Sequence, residues 1–218
     1  MGRKRKTIRQ SVCPTTTIKK RSNTLRTRTS PRTLYETIIG LTPGQRKAVE
    51  DMGLGSLLSM TVDGVPVKMG FFVVDSFNTT KMQLETTSGN IPITVDSIHH
   101  LLKLLTGGLD LMNLKDLPSG VELVKEWKKQ FGNRIIRPMD VMRLILKTDN
   151  SGVRFKMNFL VLFVNLMAEC NSMGSCQLQF LSKIDGDNML LYVTSTISKR
   201  VVVAESKSAL SSWNIGLL

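Results

Sequence analysis

Residues 155–168, FKMNFLVLFVNLMA, are the most apolar stretch of the sequence, and they limit the fold more than any other feature. The uninterrupted apolar run is Phe159–Val164, with Asn158 and Asn165 on either side. A helix that crosses a bilayer needs about 20 predominantly apolar residues. This run is much shorter, so the expectation is a buried core helix and no membrane association.

The flanking sequence supplies further helices. Residues 33–41 read as a short amphipathic helix. Thr42-Pro43 is a helix start: the threonine can accept from free backbone N–H groups, and Pro lacks only an N–H that would be orphaned anyway. That helix should run to about Met52 and stop at Gly53, with Leu54–Leu58 as a tight apolar connection. Asp63-Gly64 is a turn signal. Residues 67–77, VKMGFFVVDSF, fit either a strand or a buried helix. Short strands are expected at 82–86 and 91–93 around Ser88-Gly89-Asn90. Thr94 should cap a helix with Asp96 in its first turn. Its apolar positions are Val95, Ile98, Leu101, Leu102 and Leu105, and Gly107-Gly108 should end it. After a loop over 109–120, residues 121–131 are amphipathic, with Val121, Val124, Trp127 and Phe131 on one side. Pro138 opens a helix to about Lys147. A turn at Asp149–Gly152 leads into the apolar helix, expected to reach Glu169. A short helix over 177–184 follows a loop. The fold class is therefore mainly α, a helical domain with one short β-hairpin and a disordered basic N-terminal tail.

Charge divides the chain. Residues 1–32 hold eleven of the thirty Lys and Arg residues and no acid. The rest carries nineteen cations against seventeen acids. This is a nearly neutral domain behind a basic arm. The arm has few large apolar residues and cannot offset an ordering cost of roughly 1–2 kcal/mol per residue. The resulting division is a basic tail at 1–32, a helical domain at 33–184 and an atypical segment at 185–218. That last segment is Ser- and Val-rich and reads as an altered, truncated end.

Arg3, Lys4, Arg5 and Lys6 form one basic cluster, and Lys19, Lys20 and Arg21 a second, twelve residues on. The pair has the form of a bipartite nuclear import signal, in which two groups of cations occupy acidic grooves of an import carrier. An organelle transit peptide is the rival reading, since such peptides are also acid-free and rich in Arg and Ser. The expected location is the nucleus. The same arm can hold phosphates, with Arg26, Arg28 and Arg32 nearest the domain. It has no aromatic residue on which a single strand could stack, so binding through it should be phosphate-driven and sequence-tolerant. A second basic stretch, Lys128–Lys156, has eight cations against Asp140 and Asp149. Within it Arg143 and Lys147 lie four apart on one helix face. That stretch reads either as a solvated surface or as a continuation of the arm's nucleic-acid or chromatin footprint.

Other chemistries find little support. Cys13, Cys170 and Cys176 are an odd number without disulfide spacing, and the N-terminus has no apolar stretch behind its charges, so a reducing compartment is expected. Cys170 and Cys176 lack the tight pairing of a zinc site, and His99-His100 is distant. Gly53-Leu54-Gly55 lacks the third glycine of a dinucleotide loop, and no GK[ST] occurs. Asp185–Asn188 lacks the remaining ligands of a calcium loop. Thiol catalysis needs a thiolate beside an oriented imidazole, and no sequence signature places one there. The expectation is a protein without cofactor, metal or catalytic residue.

Three stretches carry a family likeness. They are LTPGQRKAVEDMGLGSLL (41–58), FFVVDSFNTTKMQLE (71–85) and GNIPITVDSIHHLLKLLTGGLDL (89–111). In that order they resemble the plant mobile domain, also called aminotransferase-like, which occurs in Mutator-like transposable elements and host genes derived from them. FKMNFLVLFVNLMAECNSMGSCQLQFLSKI (155–184) is similar to the same family's hydrophobic helix and the short helix after it. More narrowly, the chain resembles the N-terminal part of transposon-encoded proteins of the SUMO-protease family, whose papain-like domain lies far downstream. The likeness covers about residues 30–184. It departs from the family's GLPxGG pattern, since Leu104-Leu105-Thr106, without a Pro, precedes Gly107-Gly108, and no Trp-Cys helix follows Ile184. The protease signatures are absent: Leu101 follows His100, and Cys176 sits in Gly-Ser-Cys-Gln. Taken with the charge asymmetry, the resemblance implies a non-catalytic, transposon-derived, nuclear module that binds nucleic acid or chromatin. The alternative it leaves is a catalytically dead fragment of a cysteine-type SUMO peptidase.

Overall fold

A computed structural model describes residues 30–104, 115–168 and 174–184. Seven α-helices and one small antiparallel sheet occur among them: α1 (Arg32–Gly40), α2 (Pro43–Asp51), α3 (Val67–Ser76), β1 (Phe77–Asn78), β2 (Gln83–Thr86), β3 (Gly89–Pro92), α4 (Val95–Leu102), α5 (Pro118–Lys128), α6 (Pro138–Lys147) and α7 (Val153–Phe163). The fold is mainly α, as expected. The expected tail clusters, Cys13, Cys170, Leu105, Gly107-Gly108 and the segment 185–218 lie outside the described residues.

Local chemistry sets the helix ends. Thr42 and Gln45 form a reciprocal capping box: Thr42 Oγ1 accepts from Gln45 N at 3.3 Å, and Gln45 Oε1 accepts from Thr42 N at 3.0 Å. Two otherwise orphaned donors are thereby satisfied. Pro43, Pro118 and Pro138 each open a helix, where a missing N–H costs nothing. Gly53, at φ +72°, follows α2 in the left-handed region that favours glycine.

The core is built by α1, α2, α5, α6 and α7, joined by 3-10 turns at Gly55–Ser59 and Gln179–Lys183. Helix α6 lies between α1 and α7, α2 also packs on α7, and α5 packs on the 179–183 turn. Seven of the eight positions from Phe155 to Leu162 in α7, all but Lys156, are buried, so the apolar stretch is the expected core helix. Its bracketing asparagines are buried too, and both are bonded. Asn158 Oδ1 accepts from Trp127 Nε1 at 2.7 Å and from Gln130 Nε2 at 3.1 Å. Asn165 Nδ2 donates to Val161 O at 2.9 Å and to Gln177 O at 3.0 Å. By taking a carbonyl one turn back, Asn165 competes with the helical ladder. The chain widens there into a π-helical turn, Val164–Ala168. No helix among the described residues is long and apolar enough to cross a membrane.

Between Met60 and the return of the chain to the core lies an excursion, residues 61–104, in which no residue is fully buried. It contains α3, the sheet and α4. Helix α3 settles the strand-or-helix alternative at 67–77 as a helix, but not a buried one. The hairpin turns at Thr87-Ser88, one residue before the expected position, with Thr86 opposite Gly89. Gly89 takes φ +130°, a conformation open mainly to glycine. A two-residue strand, β1, adds to β2 and makes three strands from the expected two. Helix α4 starts at the Thr94 cap but ends at Lys103, φ +54°, short of the expected Gly107. Its stripe Val95, Ile98 and Leu101 is exposed. Helical periodicity located the helix; it did not say that a core would receive the stripe.

Candidate nucleic-acid interface

The basic stretch 128–156 covers the end of α5, the α5–α6 connection, α6 and the start of α7. Helix α6 is amphipathic because Val141 and Ile145 are buried while Met139, Arg143 and Lys147 are exposed at successive steps of four. Side chains four apart share one helix face. Arg143 and Lys147 therefore stand one turn apart on the outer face of α6, as expected from their spacing. Arg32 is exposed at the first residue of α1, the helix packed on α6. At the other end of these two helices, Gly40 lies against the Leu146 side chain. Arg3, Lys4, Arg5, Lys6, Lys19, Lys20, Arg21, Arg26 and Arg28 lie outside the described residues.

Not every cation is equally available. Lys129 Nζ lies 2.5 Å from a Glu126 carboxylate oxygen, Arg154 lies 4.0 Å from the same carboxyl group, and Arg143 lies 3.6 Å from Asp140. The hydrogen bond between Glu126 and Lys129, with their mutual attraction second, holds the carboxyl below and the ammonium above their ordinary values. These pairs lie at the surface, so they contribute little to stability. Lys128, Arg134, Arg137, Lys147 and Lys156 form no ion pair among the described residues. They supply most of the uncompensated charge.

Sequence reasoning did not single out the connection between α5 and α6. Gly132, at φ +63°, ends the 3-10 turn that prolongs α5. The chain then runs Arg134-Ile135-Ile136-Arg137 into the proline that opens α6. Ile136 is buried, and its carbonyl accepts from Cys176 N at 2.8 Å. Arg134 Nε donates to Phe131 O at 3.3 Å, and Arg137 N donates to Asp140 Oδ2 at 3.2 Å. Ile135 is left 71% exposed between the two arginines. The Gly-Asn turn followed by two cations around an apolar pair was the available signal.

Cys176 is half-buried, and burial, with the Asp140 carboxylate second, pushes its thiol up to about 12. It stays protonated near neutrality and is a poor nucleophile there. His99 and His100 sit on α4 in the excursion, where His99 Nδ1 lies against the Leu104 carbonyl. No group of three potential metal ligands occurs among the described residues. A cleft of about 150 Å³ between α6 and α7 is lined by Gln130, Thr148, Asn150, Arg154 and Asn158 among others. The Gln130 and Asn158 amides in it are already paired with each other.

Residues 27–190 match the model of a family described as a domain of unknown function (DUF8566). The matched stretch contains every residue of the fold described above. No curated protein and no solved structure matches the chain.

Proposed function

The chain belongs to the DUF8566 family, and we propose that it is a non-catalytic nucleic-acid- or chromatin-binding module, transposon-derived and nuclear, in which a basic tail and the outer face of α5–α6 hold phosphates. One observation carries the reading: eight cations against two acids between Lys128 and Lys156, five of them outside any described ion pair, on the same chain as an eleven-cation arm without an acid. Phosphate contacts of this kind release counterions and set a steep salt dependence. The resemblance to the plant mobile domain supports the transposon origin, and the two basic clusters support delivery by a nuclear import carrier.

The experiment is duplex-DNA binding by the full chain as a function of salt. Each phosphate contact contributes about −0.9 to the slope of log K against log salt. Changing Arg26, Arg28 and Arg32 to Gln should reduce the slope by up to about 2.7. Changing Arg143 and Lys147 to Gln should reduce it by up to about 1.8. If the second change leaves the slope intact, the outer face of α6 plays no part in phosphate binding. If the full chain does not bind duplex at physiological salt, the reading fails.

A further inference from the structure

We propose that the α5–α6 connection is a wedge that reads deformable duplex DNA: Arg134 and Arg137 hold phosphates on either side of the minor groove while Ile135 enters an unstacked base step. The inference rests on the nucleic-acid reading and deepens it by naming the form of nucleic acid. Ile135 is 71% exposed, so the core makes little use of its side chain. Yet its neighbours are fixed from both directions. Phe131 and Ile136 are buried, Ile136 O accepts from Cys176 N, Arg134 Nε donates to Phe131 O, and Arg137 N donates to the Asp140 carboxylate at the start of α6. The apolar tip is thus presented by ordered backbone, and binding need not pay to order it.

The chemistry around the tip selects the partner. Trp127, Phe131 and Phe155, the aromatic residues nearest this face in sequence, are all buried. The face offers no stacking platform for a single strand. An aliphatic side chain beside arginines suits a duplex instead, since minor-groove binders combine cations with apolar wedges that unstack a base step and kink the helix. The exposed α6 stripe continues from it through Met139, Arg143 and Lys147. Eight residues of helix rise about 12 Å, the length of roughly three to four base pairs at 3.4 Å each. The acids that face these cations are Asp140, already engaged by Arg137 N and Arg143, and Asp149 beyond Lys147. A membrane surface is less well matched, since interfacial binding needs a broad apolar face and the connection offers a single exposed isoleucine.

The test compares two labelled duplexes of equal length and charge, one fully paired and one with a central two-base mismatch that lowers the cost of unstacking, against the full chain. The expected result is binding about tenfold tighter to the mismatched duplex, with Ile135→Ala abolishing the preference and leaving the salt slope unchanged. Arg134→Gln with Arg137→Gln should weaken binding to both duplexes and lower the slope by up to about 1.8. The unfolding midpoint of Ile135→Ala should stay close to the parent's, because most of the side chain is exposed. Equal binding of both duplexes by the parent, or a preference that survives Ile135→Ala, overturns the wedge and leaves the nucleic-acid reading standing. No binding to either duplex overturns both. Ile135-dependent binding to phosphatidylserine vesicles, with no duplex preference, also overturns it in favour of a lipid surface.

Discussion

Gln45 joins two helix ends, and its replacement should show how much of the fold depends on that joint. The side chain is fully buried. Its Oε1 accepts from Thr42 N at 3.0 Å, while Nε2 donates to Thr148 O at 2.7 Å, Ile145 O at 3.2 Å and Asn150 O at 3.4 Å. Ile145 lies in the last turn of α6 and Thr148 caps it, where carbonyls lack i+4 helical partners; Ile145 O has only the long bond from Thr148 N, at 3.5 Å. One amide therefore caps the start of α2 and the finish of α6. Gln45→Met keeps the approximate volume and removes all of these bonds. The Thr42 and Thr148 groups can turn to water, losing about 1 kcal/mol each. The Ile145 carbonyl is buried and would keep only that long bond from Thr148 N, which adds about 1 kcal/mol. The expected loss is about 3 kcal/mol, read as a fall of about 1.5 M in the urea midpoint for a slope of about 2 kcal/mol/M. Gln45→Glu sharpens the test. A carboxylate facing three carbonyls is disfavoured, so its folded pKa should rise above the unfolded value of about 4.3. The variant should be least impaired below that value and lose stability as pH rises through the folded pKa. A Gln45→Met midpoint within 0.3 M of the parent, or a Gln45→Glu deficit that ignores pH, would refute the capping role.

Gly120 lies in α5 where an added Cβ would stand 2.3 Å from the Ser182 carbonyl oxygen. Gly120→Ala should therefore destabilise by about 1–3 kcal/mol in chemical denaturation despite alanine's better helix propensity, whereas Gly64→Ala, with nothing within 4 Å, should be near neutral. Asn158→Leu removes the acceptor of Trp127 Nε1 and should cost about 2–3 kcal/mol in the same assay; a neutral result would mean that the indole finds another partner. With Cys13 and Cys170 changed to Ser, alkylation of native Cys176 should climb through pH 10 without the plateau an exposed thiol shows, since burial raises its pKa to about 12. The same shift makes the folded state lose ground as pH rises above the ordinary thiol range, because the unfolded thiol ionises first. Changing Arg3–Lys6 and Lys19–Arg21 to Ala should abolish nuclear accumulation of a fluorescent fusion; unchanged accumulation would sink the import reading.

Elements with local causes were legible in the sequence. The Thr42 cap, the Pro138 start and the apolar run at 159–164 each fix a helix through interactions within a few residues, and each stands where it was expected. The hairpin was legible to within one residue: its turn falls at Thr87-Ser88, and Gly89 and Asn90 already pair in β3. Burial was less legible. The stripe Val95, Ile98 and Leu101 has the spacing of a core face and is exposed, because periodicity reports a face and not its partner. Of the candidate site, Arg143 and Lys147 came from spacing alone. Arg134 and Arg137 were counted in the basic stretch, but Ile135 was not singled out, because which of the two adjacent isoleucines faces solvent is set by tertiary packing: Ile136 is buried and its carbonyl accepts from Cys176 N, forty residues on.

The excursion at 61–104 has a thermodynamic consequence. Local opening costs little where few apolar contacts break, and none of its side chains is fully buried. Its amides can therefore exchange with solvent while α1, α2, α5, α6 and α7 stay closed. The core amides exchange only when those helices come apart together. Isotope labelling should thus divide the chain into two cooperative units: a limb that opens many times for each global unfolding, and a core whose slowest amides report the stability of the whole domain.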